Sequence, residues 1–247
     1  MKLNVYFTPI GLKPQEIADR PVLVIDVLRT TTSIVAALAA GAKAVVPVET
    51  AEEGLRLAQN LEKDTVLLSG ERKMERIPGF ALGNSPLEML PETVAGKTLV
   101  MATTNGTPAI VAAEPALPVL IGAVTNFSSA VEAARRQFEA ASEISILCAG
   151  RERQFALEDA YLAGRFAQAL LPGQQRRAAQ LNDGAIAALE LVRRYGDKWK
   201  RAISASTAAH DLKAAGFRAD IVAATEADAH PFVPCYADRR VTRTEQA

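Results

Sequence analysis

Short apolar runs of strand length alternate with longer amphipathic stretches along the first 150 residues, and this alternation restricts the fold more than any other feature. The apolar runs are Leu3–Phe7, Val22–Val27, Ala44–Val48, Thr65–Leu68, Thr98–Ala102, Pro118–Ile121 and Glu143–Cys148. Helical stretches between them include Thr32–Ala40, Ala51–Leu61, Pro108–Glu114 and Phe127–Ala141. Strand and helix in repeated succession make βαβ units, whose right-handed crossovers build a mainly parallel sheet with helices on both faces. The expected class is a three-layer α/β/α domain over residues 1–150, carrying most of any site. After Cys148 the texture changes. Leu157–Leu171 and Gly184–Tyr195 read as helices, and Ser206–Ala215 as another, stopped by Gly216. Asp220–Ala224 and Phe232–Tyr236 read as weak strands, and the polar tail after Arg239 is expected to fray. A second, helix-rich lobe over residues 151–247 is expected to complete the site.

Composition excludes several function classes. The 28 basic and 28 acidic residues cancel, so no basic face is implied and nucleic acid is disfavoured as a partner. The local basic pairs Arg151/Arg153 and Arg176-Arg177 read as solvated surface. No apolar run reaches the length of a membrane span, and the N-terminus does not read as a signal peptide. Cys148 and Cys235 lie far apart, which suits reduced thiols and a cytoplasmic setting. His210 and His230 are the two histidines, too few for a dense histidine metal site.

The strand ends carry the chemistry. Val22-Leu-Val-Ile-Asp26-Val-Leu-Arg29-Thr-Thr-Thr-Ser33 is an apolar run closed by a carboxylate, then an arginine and a row of hydroxyls. Ligands bind at the carboxyl ends of strands in α/β sheets, so this segment is a candidate site; a capping aspartate beside a solvated arginine is the plainer alternative. Further polar clusters follow other strands: Ser69, Glu71 and Arg72; Thr103-Thr104-Asn105-Gly106-Thr107; Gly122 and Asn126; Gly150 and then Glu158-Asp159. In a parallel sheet these ends share one rim. Gly70 to Pro86 is too long and too rich in Gly, Pro, Asn and Ser for a routine turn, which points to a functional loop.

The inventory suits a phosphate ester and a divalent cation. Asp26, Glu71, Glu158 and Asp159 offer the hard oxygen ligands that Mg²⁺ prefers. Arg29 and Arg72 offer forked donors for phosphate or carboxylate. Thr30, Thr31 and Thr32, and then Thr104, Asn105, Gly106 and Thr107, offer short donors at helix starts. Other phosphate signatures fail. There is no G-x-x-x-x-G-K-[ST] loop and no G-x-G-x-x-G after a strand. Leu28 stands where an Asp-x-Asp nucleophile needs its second acid, and Cys148 to Arg153 is one residue short of a thiol-phosphatase loop.

Six motifs in order resemble a known family. They are Val24-Ile-Asp26-Val-Leu-Arg29-Thr-Thr-Thr, Gly70-Glu71-Arg72, Gly79-Phe-Ala-Leu-Gly83-Asn84-Ser85-Pro86, Thr103-Thr-Asn-Gly-Thr107, Cys148-Ala-Gly150 and Leu157-Glu158-Asp159. Together they are similar to the 2-phosphosulfolactate phosphatases, the ComB family. The resemblance implies a Mg²⁺-dependent phosphatase that converts 2-phospho-3-sulfolactate to 3-sulfolactate on the way to coenzyme M, working as a homodimer. It implies metal binding by Asp26, Glu71 and one of Glu158 or Asp159, and phosphate binding by Arg29 and Thr30–Thr32. Arg72, Asn84, Ser85 and Asn105 would hold the carboxylate or sulfonate end, and Asp26 could alternatively act as a covalent nucleophile. Lys73-Met74, Ala81 and Pro108 stand where the family's pattern usually has glycine, aspartate and a basic residue. They motivate a rival reading, a phosphatase for another 2-phospho hydroxy acid. A non-catalytic phospho-acid binding protein of the same fold is the other.

Overall fold

The computed structural model describes residues 1–60, 65–173 and 175–243. β1 (Lys2–Tyr6) leads through the single turn α1 (Pro14–Ile17) to β2 (Val22–Ile25), α2 (Thr30–Ala39) and β3 (Ala44–Val48). Then come α3 (Ala51–Gln59), β4 (Val66–Arg72), β5 (Glu75–Arg76), α4 (Pro91–Val94) and β6 (Thr98–Ala102). α5 (Gly106–Ala112), β7 (Val119–Gly122), α6 (Phe127–Ala141) and β8 (Glu143–Cys148) complete the alternating part. After it follow α7 (Leu157–Leu170), α8 (Gln175–Ala178), β9 (Gln180–Leu181) and α9 (Asp183–Tyr195). The chain continues through α10 (Trp199–Ser204), α11 (Thr207–Ala214) and α12 (Arg218–Ala223) to β10 (Pro234–Ala237) and β11 (Arg240–Arg243).

These strands form one mixed sheet in the order β5-β4-β6-β3-β11-β10-β7-β2-β8-β1-β9. β4, β6 and β3 are mutually parallel, and so are β7, β2, β8, β1 and β9. The β10–β11 hairpin joins the two sets, with β11 antiparallel to β3 and β10 antiparallel to β7. The two parallel sets therefore run in opposite directions. The expectation that all strand ends share one rim is corrected by this reversal. Strand twist of roughly 20–25° per pair accumulates over the four strands between β6 and β2, so ends on different sets can still approach one another.

β2 explains the three layers. Its four residues Val22–Ile25 are fully buried. Leu23 and Ile25 pack with Phe138 of α6, Phe166 of α7 and Leu189 of α9. Val22 and Val24 pack on the other face with Ile34 and Leu38 of α2 and Ile110 of α5. A strand covered on both faces has to be apolar throughout. Each such side chain contributes about 1.5–3 kcal/mol on leaving water.

Two expectations about the later part of the chain are overturned. The tail after Arg239 is not frayed as far as residue 243: β11 lies mid-sheet, with Val241 fully buried and paired with Val45. Its turn has φ of 48° at Asp238 and 61° at Arg239, the pattern of a type I′ hairpin. Asp220–Ala224 is not a strand, because α12 occupies Arg218–Ala223. There Ile221 joins the apolar core and Asp220 is buried against charged and polar groups, so packing overrides the extended preference of Ile221-Val222. Smaller shifts matter at the site. α2 starts at Thr30 rather than Thr32, and α5 at Gly106 rather than Pro108. Phe232 and Val233 precede β10, which begins at Pro234. The expected helix Ala51–Leu61 is seen as far as Gln59, and Leu61 lies outside the described residues. No helix of the described residues is long and apolar enough to cross a membrane.

Candidate active site

Asp26 follows the last residue of β2 and caps α2. Its Oδ1 accepts from the Thr30 N–H at 3.1 Å, and its carbonyl accepts from the Thr31 N–H at 3.0 Å and the Thr31 hydroxyl at 2.8 Å. Thr32 donates its hydroxyl to the Val27 carbonyl at 2.8 Å. The first N–H groups of α2 are therefore engaged by Asp26 rather than left open to phosphate. Thr30 lines the site cavity, whereas Thr31 and Thr32 do not. Asp26 Oδ2 lies against Gly106, where a Cβ would come within 2.3 Å of it and of Thr30. Glycine is required there so that the two helix starts can meet.

Four buried carboxylates from three places in the sequence, with the exposed Glu152 beside them, line this cavity of about 380 Å³, a volume suited to a small substrate. Glu71, at the end of β4, accepts from the Met74 N–H at 2.9 Å and the Thr104 N–H at 2.8 Å. Asp159, in the first turn of α7, accepts from the Val27 N–H at 2.9 Å and the Gly150 N–H at 3.1 Å. It thereby ties the ends of β2 and β8 together. Glu158 beside it is buried as well. Burial raises the pKa of Asp26 to about 6, with the Glu71 charge adding to the rise and the Thr30 bonds and Arg29 opposing it. Burial, first, and the neighbouring acids also raise Glu158 and Asp159.

These acids form no ion pair with lysine or arginine among the described residues. A concentration of buried, mutually repelling carboxylates lowers its energy by taking up protons or a cation. The donor set is all hard oxygen, as Mg²⁺ prefers, and carboxylates that already accept backbone bonds keep further lone pairs. No three acidic, histidine or cysteine side chains among the described residues are already gathered as a closed ligand set. Mg²⁺ usually retains several waters and needs only one or two carboxylates, so the residues present fit such an ion.

Arg29 is the N-cap residue of α2, and its side chain is 3% exposed. Nη1 meets Asp220 Oδ2 at 2.7 Å, Nη2 donates to the Met74 carbonyl at 3.0 Å, and the Phe217 ring lies under the guanidinium at 4.4 Å. Asp220 also accepts the Ser85 hydroxyl at 2.7 Å. Ser85 thus supports Arg29 through Asp220 and does not line the cavity.

The remaining expected residues divide in the same way. Arg72, Asn84, Thr104 and Asn105 line the cavity; Gly106 and Thr107 do not. Asn84 donates to the Thr30 hydroxyl at 3.3 Å, while its buried Oδ1 has no partner among the described residues. Thr107 closes the turn after β6 by exchanging bonds with Thr103 at 2.9 and 3.0 Å. Sequence reasoning missed Asp220 and Phe217, which sit in a segment read as a weak strand and its approach. It also missed Arg151, read as solvated surface, which lines the cavity. Its position directly after the β8 strand end and Gly150 was the available signal.

The sequence profile of the 2-phosphosulpholactate phosphatase family matches residues 6–239. The chain belongs to this family. Among 2-phosphosulfolactate phosphatase relatives, one of Symbiobacterium thermophilum is 36% identical over 231 residues, covering 94% of this chain and 97% of its own. One of Thermus thermophilus is 41% identical over 202 residues, 81% of each chain. One of Caldanaerobacter subterraneus subsp. tengcongensis is 42% identical over 164 residues, 66% of this chain and 67% of its own. Each of the three carries the name "Probable 2-phosphosulfolactate phosphatase". The match includes the Asp26, Glu71 and Glu158-Asp159 segments and Asp220, so the family assignment covers the whole cavity wall described above.

Proposed function

We propose that this chain is a Mg²⁺-dependent phosphatase that hydrolyses 2-phospho-3-sulfolactate to 3-sulfolactate and phosphate. The observation that carries the reading is the set of four buried carboxylates facing one small cavity beside a buried arginine. The family assignment and the names of the relatives support it. A protein that only bound a phospho-acid would gain nothing from placing so much negative charge next to it.

Asp26 and Glu158 would hold the cation, with Glu71 and Asp159 completing the negative field. When bound, Mg²⁺ would neutralise charge on the phosphoryl oxygens. Arg29 binds the phosphoryl group, its fork held in place by Asp220 and Phe217. Thr30 and Asn84 present a hydroxyl and an amide to the same space. The attacking water forms a new bond to phosphorus and passes its proton to the carboxylate cluster. The bond from phosphorus to the C2 oxygen breaks, and that oxygen takes up the proton that the carboxylate cluster received from the water, which restores the cluster.

Lys73 and Met74 line the cavity, which favours, as a second reading, a different 2-phospho hydroxy acid. One assay separates the possibilities: phosphate release from 2-phosphosulfolactate, 2-phospholactate and 2-phosphoglycerate, with Mg²⁺ and with chelator. Mg²⁺-dependent release favouring the sulfonate is expected. Preference for another acid would move the substrate, and no release from any would overturn the phosphatase reading. Assembly as a homodimer belongs to the same proposal, and light scattering of the purified protein tests it.

A further inference from the structure

Arg151 follows Gly150 in the loop after β8 and lines the cavity. Its Nη2 pairs with the Asp211 carboxylate of α11. Its Nη1 is buried and has no hydrogen-bond partner among the described residues. A buried guanidinium N–H is costly to leave without an acceptor, so an unpartnered one in a residue that lines the cavity points to a ligand.

The loop holds this donor in place. Arg151 and Gln154 exchange backbone bonds at 2.9 and 2.8 Å. The Glu152 N–H donates to Asn105 Oδ1 at 2.9 Å, which ties the loop to the one after β6. Gly150 has φ 68°, and a Cβ there would come within 2.3 Å of the Gln154 carbonyl. Arg29 has one partner at each terminal nitrogen, Asp220 and the Met74 carbonyl, whereas Nη1 of Arg151 has none among the described residues. Ala208 and Leu212 of α11 add apolar surface to the same cavity. Arg151 and Glu158 line the same cavity, so a group held by Arg151 shares that space with the carboxylate cluster.

We propose that Arg151 reads the sulfonate of the substrate, carried on C3 beside the phosphate-bearing C2; this rests on the phosphatase reading above. A sulfonate stays ionised at every working pH and spreads its charge over three oxygens. The two N–H bonds of Nη1 suit such an acceptor. A substrate with a methyl group in its place leaves Nη1 unsatisfied, and a site built to donate hydrogen bonds rejects such an analogue strongly.

The test measures kcat/KM for 2-phosphosulfolactate and for 2-phospholactate, which lacks the sulfonate, in the wild type, Arg151→Lys and Arg151→Met. The wild type is expected to prefer the sulfonate. Arg151→Met is expected to lose about 100-fold on it, chiefly in KM, and less than about 3-fold on 2-phospholactate. Arg151→Lys is expected to fall between them, and it carries the test if the methionine variant does not fold. Equal losses on both substrates would overturn the assignment and make Arg151 a support for the loop. If the wild type hydrolyses neither compound, the phosphatase reading fails by itself. Calorimetry with 3-sulfolactate then decides the subsite: binding lost in Arg151→Lys and Arg151→Met supports it, and unchanged binding overturns it.

Discussion

Replacing Asp26 with asparagine should make the metal-free protein more stable while abolishing its activity. The folded chain raises the Asp26 pKa from 3.8 to about 6, so it binds this proton more tightly than the unfolded chain does. The ionised carboxylate therefore costs stability above pH 6. That cost fades as pH falls from 6 towards 4 and is gone below the unfolded value. At about 1.36 kcal/mol per pH unit the full cost is roughly 3 kcal/mol. Asparagine keeps an oxygen for the Thr30 N–H and removes the charge. For a chain of this size about 1 kcal/mol moves Tm by about 2–4 °C, so Asp26→Asn should melt roughly 6–12 °C above wild type at pH 7 in chelator. Proton uptake by the wild type at pH 5 recovers about 1.3 kcal/mol, so the gap should shrink to roughly half to two-thirds. Scanning calorimetry at both pH values, with and without Mg²⁺, reads this directly. Mg²⁺ should raise the wild-type Tm far more than that of the variant, and turnover by the variant should fall by about 10³-fold or more. A variant that melts below wild type at pH 7 in chelator, or a gap that does not narrow at pH 5, would refute the reasoning.

Asp220→Ala leaves the buried Arg29 without its partner and should cost about 3–5 kcal/mol, seen as a lower urea midpoint together with a fall in kcat/KM. Ser85→Ala removes one bond to the same carboxylate and should cost about 1 kcal/mol, with turnover within a few-fold of wild type. Gly106→Ala drives a methyl group into Asp26 Oδ2 and Thr30 and should weaken Mg²⁺ binding, titrated by calorimetry, by about tenfold or more. A chain ending at Arg239 lacks the mid-sheet strand β11 and should fail to give a cooperative thermal transition; a normal melting curve would count against the strand's role.

Much of the site's chemistry was legible because it is local. Val22–Ile25 followed by Asp26 can be read as a doubly covered strand and its polar end from side-chain types alone. Asp26, Glu71, Glu158 and Asp159 were singled out in this way, and the structure lines one cavity with them. The role of each hydroxyl was not legible. Thr30, Thr31 and Thr32 look alike in sequence, but helical geometry turns Thr31 and Thr32 back onto the carbonyls of Asp26 and Val27. Only Thr30 of the three is left at the cavity.

Most elements of the first 150 residues, and the kinds of chemical group at their ends, were readable in the sequence, since hydrophobic period and side-chain type are properties of short segments. Tertiary structure decided which ends meet. The central hairpin carries Asp238-Arg239 in its positive-φ turn instead of the usual Asn-Gly, and Val241 is the one apolar residue of β11, so no local signal announced it. Its antiparallel pairing with β3 and β7 nevertheless sets the two halves of the sheet in opposite directions. The same long-range packing brings α12 to Arg29 and turns Arg151 into the cavity. Partners separated by 191 positions, as Arg29 and Asp220 are, leave no mark on either segment, because the energy that joins them exists only once both are buried together.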